Sequence, residues 1–224
     1  VQRMAKRNSI IRKLPAVETL GSTTVICSDK TGTLTRNEMT VNELWTPVST
    51  LQITGVGYNK LGTFTQNGEL VKQLPDEIVL LLKYSVLCND SSIKANGDNF
   101  DVTGDPTEVA LVVAAAKANF IAEELRRMHP RLDVIPFDSE LQYMATLHDG
   151  ISKTVIVKGA PEVVLKKCQH QLDGELVNHT LVIAEIERLG NRGMRVLAVA
   201  EKPWTVSAAN DLSHENVNDG LGFV

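Results

Sequence analysis

Two periodicities alternate along the chain. Short apolar runs rich in β-branched residues, bounded by Gly, Asn and Pro, are interleaved with segments of helical spacing. The first run, "STTVICSDK" at 22–30, reads as a short buried strand. Thr24, Val25 and Ile26 favour β structure, and the run closes on Asp29 and Lys30. The Thr-, Val-, Gly- and Asn-rich stretch 41–70 predicts two or three strands joined by turns, with "QNGE" as a hairpin. "PDEIVLLLKYSVLCND" (75–90) predicts a buried helix. "GDPTEVALVVAAAKANFIAEELRRMH" predicts one long helix, with Asp105 as N-cap, Pro106 in the first turn and Glu108 at the third helical position. Strands follow at 141–148 and 153–158, a helix opens at "PEVVLKKC", and another, "LVIAEIERLGNRG", ends at Gly190 or Gly193. "MRVLAVAEK" reads as a further strand.

Mixed strands and helices predict an α+β layered domain of about 160 residues, inserted after the strand that carries Asp29. Repeats and low-complexity tracts are absent from the 224 residues. With 27 acidic against 23 basic residues, the net charge is -4, so no global basic field for nucleic acid exists. An aromatic content of 4% also argues against base-stacking sheets of the RNA-binding kind. Cys27, Cys88 and Cys168 are far apart and in apolar contexts, which predicts three buried thiols with no disulfide partner and no zinc site.

The longest aliphatic run, "VALVVAAA" at 109–116, is far short of the roughly 20 residues of a spanning helix. The start has no signal-peptide core and no initiator methionine, and the chain is expected to be a piece of a longer protein. Residues 1–14 carry five basic side chains and no acid, which suits a solvated helix face or a segment beside a membrane surface.

The candidate chemistry begins at Asp29. A carboxylate at the carboxyl end of a strand can act as a nucleophile toward a phosphoryl group. Lys30 could offset charge, and Gly32 with Thr31, Thr33 and Thr35 suits a tight polar loop around a transferred group. The same aspartate could equally cap a turn after a strand.

"DKTGTLT" resembles the phosphorylation signature of the P-type ATPases, in the cation-pumping branch with calcium, sodium/potassium and proton pumps. The resemblance continues through "CND" at 88, "GDPTEVAL" at 104, "FDSELQYM" at 137, "KGAPE" at 158 and "RGMRVLAVAEK" at 192, and it covers essentially the whole chain. It implies ATP and Mg2+ as cofactors. Asp29 would take the γ-phosphate, Thr31 would help hold magnesium beside Asp29 through its carbonyl, and Thr33 would lie in the same loop.

The resemblance also implies an antiparallel sheet flanked by helices, bringing ATP to the aspartate by hinge closure. Residues 1–40 would be a stalk and phosphorylation-domain segment of haloacid-dehalogenase-like type, 41–205 the nucleotide-binding domain, and 206–224 a return toward the phosphorylation domain. Partners would be ATP and the rest of the same pump, with its phosphorylation, actuator and membrane domains, at the cytoplasmic face of a membrane.

Within that domain, the resemblance implies that Phe137 stacks on adenine, Glu108 accepts from the adenine amino group and Met144 packs against the base. Lys158 and Gly159 would line the pocket, and Arg195 would reach the phosphates. Each has a plainer reading. Phe137 could be core, Glu108 could close a capping box, Lys158 could be a surface lysine at a strand end, and Arg195 a solvated side chain. Ser139 and Gln142 stand where some calcium pumps carry an arginine and a lysine, which predicts weaker ATP binding. No GDG motif occurs in these residues, so the chain alone is expected to bind ATP without turnover. A soluble haloacid-dehalogenase-like phosphatase, the first alternative, usually has a second aspartate where Thr31 stands. A non-catalytic nucleotide-binding module is the other.

Overall fold

The structure is a computed structural model that describes residues 6–8, 15, 19, 21–150, 152–205 and 211–224. Most of the basic segment 1–14 lies outside the described residues. The chain divides into two compact units, Val1–Asn37 and Glu38–Val224.

In the first unit, Lys30–Leu34 forms a wide helical turn interrupted at Thr31 and Gly32. Gly32 has φ +76°, a backbone conformation that glycine reaches without penalty. The strand expected at 22–30 does not form. Val25 and Ile26 are 71% and 85% exposed, and Thr23–Asp29 has no strand pairing among the described residues. Three β-formers hold a strand only when a neighbour takes their N–H and C=O groups. For the same reason Cys27 is exposed, against the expectation of a buried thiol, whereas Cys88 and Cys168 are buried.

The second unit is α+β. Its first sheet contains four strands rather than two or three: β1 (Glu43–Trp45), β2 (Thr50–Ile53), β3 (Phe64–Gln66) and β4 (Glu69–Leu70), each antiparallel to the next. The hairpin at "QNGE" is present. Asn67 (φ +51°) and Gly68 (φ +85°) make the left-handed turn that suits the twist of β3 and β4.

Helix α1 (Asp76–Leu87) follows, then a hairpin of β5 (Ser92–Asn96) and β6 (Asn99–Thr103). The expected long helix is two, α2 (Pro106–Lys117) and α3 (Ala122–Met128). Asn119 enters the left-handed region (φ +64°), and the Phe120 N–H returns to the Ala115 carbonyl at 3.1 Å. This left-handed C-terminal cap stops α2.

The main sheet has six strands in the order β10-β12-β11-β9-β8-β7. They are β7 (Arg131–Asp138), β8 (Tyr143–His148), β9 (Thr154–Gly159), β10 (Cys168–Gln171), β11 (Ala198–Pro203) and β12 (Leu221–Phe223). All pairings are antiparallel except β10 with β12. Helices α4 (Pro161–Lys167) and α5 (His179–Asn191) are the remaining α-helices among the described residues of this unit, and His214–Val217 forms a short 3-10 turn. The strand expected from Met194 begins only at Ala198. Residues 211–224 carry β12 within this sheet.

Alternation along the central strands builds two cores. Met144, Ile156 and Val199 join Leu82, Val86, Val109 and Val112 of α1 and α2. Ala145, Leu147, Val155, Val157 and Ala200 join Val164 and Leu165 of α4 and Val182 of α5. With both faces covered, β8 is buried at every position. No described helix is long and apolar enough to cross a membrane.

Candidate functional site

The first turn of α2 meets the end of β9. Asp105 caps α2 as expected, its Oδ1 accepting from the Thr107 N–H at 2.8 Å. The capping box is not completed, because the Glu108 carboxylate turns the other way. Its Oε1 accepts from Lys158 Nζ at 2.8 Å, and its Oε2 from the Asp90 N–H at 3.1 Å. The pair is largely withdrawn from water, with side chains 6% exposed for Lys158 and 19% for Glu108. Lys158 is therefore not a surface lysine. An attraction made where water is scarce is strong enough to draw the carboxylate away from the cap.

Lys158 is paired in register with Met144 on β8 and Val199 on β11. Met144 is fully buried in the core beneath. Gly159 has an ordinary φ, but a Cβ there would press on the Gln142 carbonyl and lie 2.7 Å from Tyr143 Cα. Its missing side chain lets β8 and β9 close at this point. Phe137 is 58% exposed and so is not core. The register between β7 and β8 shifts between Ile135 and Asp138, and Asp138 is paired with Tyr143. Alternation back from Asp138 puts Phe137 on the Met144–Lys158 face. Arg195, exposed in the loop before β11, donates from Nη1 to Thr107 Oγ1 at 3.3 Å. Ser139 and Gln142 are exposed in the turn after Phe137, which Asp138 fixes by accepting from the N–H groups of Glu140 and Leu141 at 2.7 and 3.0 Å.

The first turn of α2 thus holds Lys158 through Glu108 and Arg195 through Thr107, and Met144 is the cross-strand neighbour of Lys158. A groove of about 580 Å³ reaches Thr107, Lys158 and Arg195, but Glu108, Phe137, Met144 and Gly159 do not line it.

Sequence reasoning missed what holds Glu108. Asn89 donates from Nδ2 to the carbonyls of Ser85 (3.1 Å) and Glu108 (2.9 Å), and accepts from the Ser91 N–H at 2.8 Å. Arg126 Nη2 reaches the carbonyls of Asn89 (3.3 Å) and Ser91 (2.8 Å), and Arg131 Nη2 those of Leu87 (3.2 Å) and Asn89 (2.8 Å). Burial lowers the Arg126 pKa, with Arg131 adding to the effect. The "CND" motif was the available signal. The Cys88 thiol lies below, donating to the Ile156 carbonyl at 3.5 Å, and burial raises its pKa.

Asp29, Thr31 and Thr33 lie in the first unit and are exposed. Asp29 Oδ1 accepts from the Thr31 N–H at 3.3 Å, and the Thr35 N–H returns to the Lys30 carbonyl at 3.1 Å. The carboxylate is accessible at the head of a polar loop. No group of three or more metal-ligating side chains occurs among the described residues.

A family model described as P-type ATPase, cytoplasmic domain N, matches residues 77–224. The chain belongs to the P-type ATPase family. The cation-transporting ATPase of Synechocystis sp. is 46% identical over 235 residues, covering 100% of this chain. The calcium-transporting ATPase 1 of Lactococcus lactis is 43% identical over 94% of the chain, and the probable cation-transporting ATPase F of Mycobacterium tuberculosis 46% over 88%. The chain spans only 22% to 26% of the length of these P-type ATPases.

Proposed function

We propose that this chain is the ATP-binding part of an ATP-driven cation pump, at the cytoplasmic face of a membrane. The observation that carries the reading is the first turn of α2, where Glu108 pairs with Lys158 and Thr107 takes Arg195, in a chain of this family that also leaves Phe137 exposed. Residues 41–205 form the nucleotide-binding domain, and 206–224, with β12 built into its sheet, lead back toward the phosphorylation domain. Residues 1–40 belong to that haloacid-dehalogenase-like domain. The remaining phosphorylation, actuator and membrane domains of the pump are its partners, and calcium is the cation suggested by the relatives' names.

Phe137 stacks on adenine, Met144 backs the site, Glu108 accepts from the 6-amino group, and Lys158, with Gly159 after it, stands at the strand end beside the base. Arg195, at the exposed rim, reaches the phosphates. An Asp29 carboxylate oxygen attacks the γ-phosphorus. The bond from that phosphorus to its bridging oxygen breaks, and ADP leaves with the electron pair. Asp29 and the Thr31 carbonyl would supply oxygen donors of the kind Mg2+ takes. When bound, Mg2+ neutralises charge on the phosphate oxygens. One carboxylate is too few for efficient transfer, so the chain alone binds ATP without turnover.

Calorimetric titration with ATP, with and without magnesium, tests the reading. Phe137→Ala should weaken binding by about 5- to 150-fold, the equivalent of ~1–3 kcal/mol of stacking. Asp29→Asn should leave binding intact, because the adenine-site residues all lie in the second unit. No saturation with millimolar ATP, or an unchanged affinity in Phe137→Ala, would refute it.

A further inference from the structure

The two arginines behind Glu108 touch no candidate nucleotide residue, yet both clamp the turn that does. Arg126 comes from α3 and Arg131 from β7, and their guanidiniums meet on the Asn89 carbonyl. Arg131 also closes on the Asp90 carboxylate at 2.5 Å. The turn thus fixed presents the Asp90 N–H to Glu108 Oε2.

A carboxylate offers about four acceptor sites. Lys158 and Asp90 fill two. The Ser91 hydroxyl lies 3.5 Å from Oε2 and equally far from the Asp105 carbonyl, so its single proton can fill at most a third. Room remains for one more donor. A 6-amino purine supplies that N–H. A 6-oxo purine presents an oxygen, which a fixed carboxylate repels. Discrimination depends on Glu108 being unable to turn aside, and the turn prevents it.

We infer that Arg126 and Arg131 are positioning residues that set base selectivity, by holding the 86–91 turn and with it the Glu108 carboxylate. The inference rests on the reading of Glu108 as the adenine contact.

The test is titration of the 224-residue chain with ATP and with ITP, whose base carries a 6-oxo group, for the wild type, Glu108→Gln, Arg131→Gln and Phe137→Ala. Arg131 is the first choice because its side chain is partly exposed, and removing it threatens folding less than removing Arg126. A general loss of folded protein weakens both nucleotides equally and leaves their ratio unmoved. The expected result is a fall in the ATP-to-ITP affinity ratio of roughly fivefold or more in Arg131→Gln, since a hydrogen bond to a charged group is worth about tenfold or more. Glu108→Gln should lower the ratio further, and Phe137→Ala should weaken both nucleotides at a constant ratio. A ratio unchanged in folded Arg131→Gln but lowered in Glu108→Gln overturns the positioning role alone. A ratio unchanged in Glu108→Gln overturns the adenine reading beneath it. Should Arg131→Gln not fold, Arg131→Lys, which keeps the charge but not the fork, is held to the same comparison.

Discussion

Replacing Lys158 with methionine separates the structural value of the Glu108–Lys158 pair from its part in nucleotide binding. Methionine matches the aliphatic stem of lysine, so little packing is lost and the ammonium is the main group removed. Glu108 then keeps its charge in a site where its side chain is only 19% exposed. Breaking a buried pair from one side typically costs about 3–5 kcal/mol. The Asp90 N–H stays in place to offset part of the charge, so we expect the lower end, about 3 kcal/mol. For a unit of this size that corresponds to a fall in Tm of roughly 6–12 °C. Trp45 and Trp204 both belong to the Glu38–Val224 unit, and their fluorescence in urea reports its unfolding. Glu108→Gln and the double variant complete a cycle. The double variant should recover much of the loss, because neither charge is then unpaired, giving a coupling of about 1–3 kcal/mol. Additive single effects, with coupling below about 0.5 kcal/mol, would refute the claim that the two side chains act as one buried unit.

Three further outcomes follow from the geometry. Gly159→Ala should cost about 3 kcal/mol in a urea melt, because its Cβ would press on the backbone of Gln142 and Tyr143; a neutral result would mean that β8 and β9 separate freely there. Asn119→Gly should be neutral or stabilising by up to about 1 kcal/mol, and Asn119→Val destabilising by about 1–2 kcal/mol, since φ is +64° at this position; equal melts would contradict a left-handed cap. At pH 8 a thiol reagent should label Cys27 quickly, and Cys88 and Cys168 only after unfolding, because both are buried and burial pushes the Cys168 pKa up to about 12; more than one fast thiol per chain would show that a buried cysteine is accessible.

What could be read from the sequence was what local chemistry decides. Asp105 before Pro106 gave the start of α2, Asn67-Gly68 gave its hairpin, and "TVIVK" gave β9, because each signal is contained in a few neighbouring residues. The long helix failed at Asn119, whose left-handed cap, closed by the Ala115 and Ala116 carbonyls, is hidden inside an otherwise continuous helical pattern. The strands β7 and β12 were missed, as were β5, β6 and β10. Pro136 weakens the pattern of the first, which takes the edge position where proline is tolerated. The second has only three residues. The strand expected at Val25 and Ile26 shows the converse, a sound local signal that forms no strand without a partner. In the site, charge type marked Lys158 and Glu108 as candidates, but their mutual pairing joins residues 50 apart and could not be read from spacing. The carbonyl-seeking arginines were hidden for a similar reason, since backbone oxygens carry no side-chain signature.

The order of strands in the main sheet has a consequence for how the domain assembles. β12, the last of the six in sequence, sits inside the sheet between β10 and β11. Until Leu221–Phe223 arrives, two strands face each other across an empty seam, each with a row of unsatisfied N–H and C=O groups. Such edges recruit strands from other molecules. The domain is therefore open to self-association for as long as that seam is unfilled, and a chain cut before Leu221 would keep it open permanently.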